Sequence, residues 1–197
     1  MAHAERRWRD RSSLALLGAG GLLVVAAAAA LVLGLTGAGG DDDPPAGRAA
    51  PAGKLLDSAR FGIRLRHPDS WRRRPGGRAI RLVSGDRRVG LTITTAAARP
   101  AVAEVRPQLE RSVLRTLDGA RVIDRGAGRV GGRPARLTAI RARNERREVV
   151  DALAITVASR YRTYAIVAFG SPAAAQAVLR EARAVLDSVR FRRPGRR

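Results

Sequence analysis

From Leu14 to Leu35 the chain runs 22 residues without a charged side chain. As a helix this run rises roughly 33 Å, enough to cross the hydrocarbon core of a bilayer. Arg6, Arg7, Arg9 and Arg11 precede it, and Asp41, Asp42 and Asp43 follow it. Arginine stays preferentially on the cytoplasmic side of an inserted segment, so these membrane-flanking charges place the N-terminus inside and everything after Leu35 outside. A cleaved export signal is the alternative, but its apolar core is typically about 7 to 15 residues, shorter than this one. The expectation is an uncleaved signal-anchor of a single-pass protein of the cytoplasmic membrane. No cysteine occurs, which excludes thiol lipidation, disulfide stapling and cysteine-ligated metal together.

Composition divides the rest. Residues 1–13 form a basic cytoplasmic tail, 14–35 the transmembrane helix, and 36–54 a linker rich in Gly, Ala, Pro and Asp that can bury almost nothing. Residues 55–193 are enough for one ordinary domain, and 194–197 form a basic tail.

Hydrophobic periodicity orders the exported part. Phe61 to Arg66 alternates at period two and stops at His67-Pro68, as a half-buried strand does. Ile80-Arg81-Leu82 and Val89 to Ile93 repeat the alternation across Ser84-Gly85-Asp86 and predict a hairpin. Leu109, Val113, Leu114 and Leu117 share one helical face, with Gly119 as the stop. Pro107 suits a first helical position, although the helix can also open earlier, near Ala101. Strands are expected at Val122-Ile123, Arg136 to Ala142, Val149 to Val157 and Thr163 to Phe169. A final helix is expected with Ser171 as N-cap, Pro172 as its first residue, and an apolar stripe of Val178, Leu179, Ala182, Val185, Leu186 and Val189. The fold class is therefore α+β, an antiparallel sheet covered by helices.

Three short segments carry a family resemblance. The opening Phe61-Gly62-Ile63-Arg64-Leu65-Arg66-His67-Pro68-Asp69-Ser70-Trp71 resembles the start of PsbP-like domains, an aromatic-led strand ended by Pro with a Trp soon after. Ser188-Val189-Arg190-Phe191 is similar to their closing helix-to-strand segment, and Gly131 to Ala135 to the hairpin before a long strand. The resemblance spans roughly Leu55 to Arg193 and implies an α/β/α sandwich used as a binding module in a bacterial envelope protein. It carries no metal-binding residues across.

Motifs for catalysis are weak. Gly126 to Gly131 satisfies G-x-G-x-x-G, but Gly132-Arg133-Pro134 and a strand follow where a nucleotide loop needs a helix, so a turn between strands is the better reading. The two histidines, His3 and His67, fall on opposite sides of the predicted membrane span, and no zinc or serine-hydrolase pattern accompanies them. Glu148 and Asp151 lie near Arg146 and Arg147 and read as a solvated strand entry. Neither a cofactor nor an enzymatic activity is expected.

Charge remains. The 38 basic residues include one lysine, and from Leu55 onward 32 arginines stand against 12 acids, an excess of 20. Such a domain attracts polyanions at moderate salt. Trp71 is read as a packing residue, while Arg72, Arg73 and Arg74, in an expected loop bounded by Pro75-Gly76-Gly77, and Arg192 and Arg193 near the C-terminus are the candidate anion-binding residues. Outside the cell the expected partners are the bilayer itself through the N-terminal helix, an anionic lipid or wall polymer, or a partner protein. Nucleic acid is not expected there. The leading reading is a non-catalytic, membrane-tethered binding module, the alternatives being a cell-surface nucleic-acid binder or an enzyme whose site the motifs do not reveal.

Overall fold

Two long apolar runs, residues 149–158 and 163–170, are buried on both faces over most of their length and set the architecture. The computed structural model describes residues 53–195 apart from Gly76, Glu145, Pro172, Ala173 and Ala175. The expected span at Leu14–Leu35 and its flanking Arg6, Arg7, Arg9 and Arg11 lie outside these residues. Among the described residues no helix is long and apolar enough to cross a membrane.

In chain order the elements are β1 (Lys54–Ser58), β2 (Ile63–His67), β3 (Arg72–Arg74), β4 (Ile80–Val83), β5 (Val89–Ala97), α1 (Val102–Thr116), β6 (Asp118–Val130), β7 (Arg133–Arg143), β8 (Val149–Ala158), β9 (Thr163–Gly170), α2 (Gln176–Asp187) and β10 (Arg190–Phe191). A seven-stranded sheet has the order β3-β4-β5-β9-β8-β7-β6, and a small sheet the order β1-β2-β10. Every pair is antiparallel. The α+β class and the antiparallel sheet with two helices are as the periodicity implied.

Helix α1 lies over β6 to β9 on one face, while α2 and the small sheet share the other. On the α2 face Leu91, Ile93, Leu137, Ile155, Tyr164 and Ile166 meet Ile63, Leu65, Trp71, Val185 and Leu186 in one continuous core. The α1 face is thinner: Val113 packs on Ile140, Ala152 and Ala154, with Leu109, Leu114 and Leu117 partly buried around them.

Several boundaries differ from the sequence reading. Of the two starts the sequence allowed for α1, the earlier one near Ala101 is observed: the helix opens at Val102 and takes Pro107 inside, on its exposed side. Proline there removes one backbone bond, which neighbouring turns and packing offset. The helix ends when Leu117 turns extended and its N–H bonds Val113 O at 3.2 Å, so Gly119 is not its stop but lies in β6. Strand β6 is far longer than Val122-Ile123 and runs through Gly126 and Gly128, so only Gly131-Gly132 makes the turn to β7. Helix α2 is described from Gln176, and Pro172, expected as its first residue, lies outside the described residues; before it, Ser171 gives its N–H to Arg88 O at 2.9 Å and its C=O accepts from Ala174 N–H at 2.8 Å. Lys54, the last residue of the expected linker, already pairs with His67 in β1.

Candidate anion-binding site

Trp71 fixes where the basic segment goes. Its ring is buried, and its indole N–H donates to Glu181 Oε2 on α2 at 2.7 Å, so it packs as expected. The next three residues cannot then form a loop. They extend as β3 along the open edge of the large sheet, with Arg72 opposite Val83, Arg73 opposite Leu82 and Arg74 opposite Arg81. Alternation places Arg72, Arg74 and Arg81 on one face of that edge, the face on which α1 lies over the far strands. Arg74 and Arg81 are directly opposed, and among the described residues neither guanidinium has a hydrogen bond or ion pair. Like charges in that position repel, an arrangement that an external anion relieves. The sequence reading missed Arg81 as a site residue, although its outward place between Ile80 and Leu82 was visible.

The C-terminal arginines divide. Arg192 pairs with Asp57, which also holds Arg64 at 2.9 Å, while Arg193 stays exposed. Arg190 donates to Asp187 O at 3.2 Å and Val189 O at 3.1 Å, tying down the end of α2. These residues hold the small sheet against the helix; of the two candidates, only Arg193 remains a free cation there among the described residues.

Four carboxylates elsewhere are engaged within the domain. Glu104 pairs with Arg99, Glu110 with Arg125, Asp151 with Arg141 and Asp187 with Arg183. Hydrogen bonding from Arg125 holds the Glu110 carboxyl below its ordinary range, partial burial opposing, with the charge of Arg125, a hydrogen bond from Thr138 and the charge of Arg106 adding to the lowering. Asp151 corrects the sequence reading: it is buried and faces Arg141 across the β7–β8 ladder, because the strand enters the core one turn of pleat earlier than its charges suggest. His67 ends β2 and its Nδ1–H donates to Pro68 O at 3.0 Å, the turn role assigned to it.

A cavity of about 390 Å³ opens where the small sheet meets the large one, lined by Arg60, Phe61, Arg78, Thr95, Arg162 and Gly195. Arg60 and Phe61 come from the β1–β2 turn, Arg78 from the approach to β4, Thr95 from the end of β5, and Arg162 from the β8–β9 turn. The turns are braced. Gly62 N–H bonds Ser58 O at 2.9 Å, Gly195 N–H bonds Ala59 O at 3.0 Å, and Tyr164 OH donates to Phe61 O at 2.8 Å. Burial pushes the Tyr164 phenol up, keeping that proton in place. Nothing in the sequence signalled this cavity, since its residues are scattered over three turns, the end of β5 and the C-terminal segment.

No protein-family model and no curated protein sequence matches the chain. Among solved structures it is similar to cyanobacterial PsbP (CyanoP) from Synechocystis sp. PCC 6803, with a TM-score of 0.52, 13% identity, and coverage of 75% of this chain and 99% of that one. A protein from Bacteroides thetaiotaomicron matches with a TM-score of 0.52 and 11% identity over 73% of this chain; that match spans only 50% of the other. LpqN, involved in cell envelope biogenesis of Mycobacterium tuberculosis, has a TM-score of 0.47, 19% identity, and coverage of 72% and 86%. The likeness to CyanoP over nearly its whole length shows that this chain has the PsbP-like fold.

Proposed function

We propose that this protein is a non-catalytic binding module, tethered to the cytoplasmic membrane by its N-terminal helix with the PsbP-like domain outside, that engages an anionic component of the envelope. One observation carries the reading: Arg72, Arg74 and Arg81 share one face of an open sheet edge, with Arg74 and Arg81 directly opposed and no carboxylate in register. Lipid headgroups and anionic wall polymers are the polyanions available on that side, and a tether holds the domain at high local concentration near them. A partner protein with an acidic surface would meet the same arginines.

The full-length chain in neutral nanodiscs, titrated with phosphatidylglycerol vesicles or purified wall polymer, tests this. Binding should be strong at low salt and fall steeply as ionic strength passes about 0.15 M, where the Debye length is about 8 Å. Neutral vesicles should not bind. Replacing Arg72, Arg73 and Arg74 with Gln should weaken binding while changing stability by less than about 0.5 kcal/mol. Salt-independent binding, or full binding by the triple variant, would sink the reading.

A further inference from the structure

The cavity is a different kind of place from the sheet edge. Its volume of about 390 Å³ falls among small-ligand pockets, roughly 300 to 1,000 Å³, whereas the sheet edge is open to solvent. Three of its six lining residues are arginines and none is an acid. Among the described residues the guanidinium groups of Arg60 and Arg78 have no hydrogen bond or ion pair. Arg60 lies over the Phe61 ring, 5.6 Å from its centroid. Arg162 gives one bond, 2.9 Å, to Arg60 O, which fixes the turn and leaves its other donors uncommitted.

A fourth group points the same way. Thr95 Oγ1 is buried without a hydrogen-bond partner, at the place where the β5–β9 register shifts between Thr95 and Ala97. Buried hydroxyls are normally satisfied, so an orphan on a cavity wall is a donor awaiting an acceptor.

Guanidinium forks match the oxygens of a phosphate better than those of any single carboxylate, because three planar groups can each bind a pair of phosphate oxygens from a different side. We propose that Arg60, Arg78 and Arg162 form a specific site for a terminal phosphate group, with the Phe61 ring beside it as the apolar wall. A terminal phosphate presents three oxygens to the three arginines. A diester within a polymer would have to bring two substituents past them. The volume exceeds what inorganic phosphate fills, so the occupant is a phosphomonoester, free or borne on a lipid headgroup. This assignment does not depend on the sheet-edge arginines.

The test is calorimetric titration of the full-length chain in neutral nanodiscs with inorganic phosphate, glycerol 3-phosphate and short-chain phosphatidic acid. All three should bind saturably with one site, glycerol 3-phosphate or phosphatidic acid more tightly than inorganic phosphate. Preference for phosphatidic acid identifies the lipid headgroup as the source, and equal binding of the two esters a free phosphomonoester. R60Q/R78Q should weaken each about tenfold or more. T95V, which keeps shape and removes the hydroxyl, should weaken it less. R78Q alone, at an exposed loop position, serves if the double variant fails to fold. R72Q/R73Q/R74Q should leave phosphate binding unchanged while reducing vesicle or wall-polymer recruitment, which separates this proposal from the surface reading. The absence of saturable phosphate binding, or full binding by R78Q and by R60Q/R78Q, would overturn it.

Discussion

The two faces of the central sheet are built from alternate residues of the same strands and yet are held by different forces. On the α2 face, Leu179, Ala182, Val185 and Leu186 sink into a continuous apolar layer shared with the small sheet, and the last three are fully buried. On the α1 face only Val105 and Val113 of the helix are buried, and the strands beneath offer alanine at 152 and 154. Alanine supplies little area, so that helix is secured in part by polar ties: Arg125 on β6 reaches Glu110 on α1, and Thr138 on β7 donates to Glu110 Oε2 at 3.3 Å. One face defines the fold by burial. The other, with a smaller core beneath its helix, also carries the arginines of the β3–β4 edge.

That contrast breaks most visibly under truncation. Leu186→Ala should cost about 2 to 5 kcal/mol in urea unfolding, since a fully buried leucine leaves a cavity that a packed core cannot close. Val113→Ala on the other face should cost about 1.5 kcal/mol, two methylene equivalents of burial. Equal losses at the two sites would show that the faces contribute alike and that the comparison is wrong.

The turn under the end of α2 sharpens the same point. A Cβ on Gly131 would stand 2.0 Å from Val189 O, and its φ of +55° already favours glycine. At Gly132, φ is +77° but nothing lies within 4 Å. Gly131→Ala should therefore shift the unfolding midpoint by about 3 kcal/mol equivalent, and Gly132→Ala by about 1. A larger loss at Gly132 would mean that α2 does not seat on this turn.

The smallest effect is expected from the polar tie of the α1 face. Glu110 is held below its ordinary value of 4.5, chiefly by its bond from Arg125. A carboxyl depressed on folding stabilises the native state above its unfolded value, and that contribution disappears as pH falls through the lowered one. Glu110→Gln should flatten the stability profile below about pH 4.5 and change little above pH 7 beyond the lost ion pair. An unaltered acid limb in that variant would remove Glu110 from the account of how α1 is held.

The strand alternations, the hairpin of β4 and β5 and the stripe of α2 were legible in the sequence, because each is a local repeat of apolar side chains that only one regular backbone can bury. The start of α1 was legible only as a choice between Pro107 and a point near Ala101; the chain takes the second, with Val105 buried and one backbone bond lost at Pro107. The GxG of β6 read as a turn because glycine permits one; pairing with a long β7 decided otherwise. Arg192 looked like a free cation near the tail until β10 folded back on β2 and brought it to Asp57. Arg60, Arg78 and Arg162 illustrate the limit most plainly. Net charge, an additive property of composition, was fixed by the chain alone, but which arginines face an anion together depends on antiparallel register and on where three turns meet, and those distances exist only after the two sheets have packed.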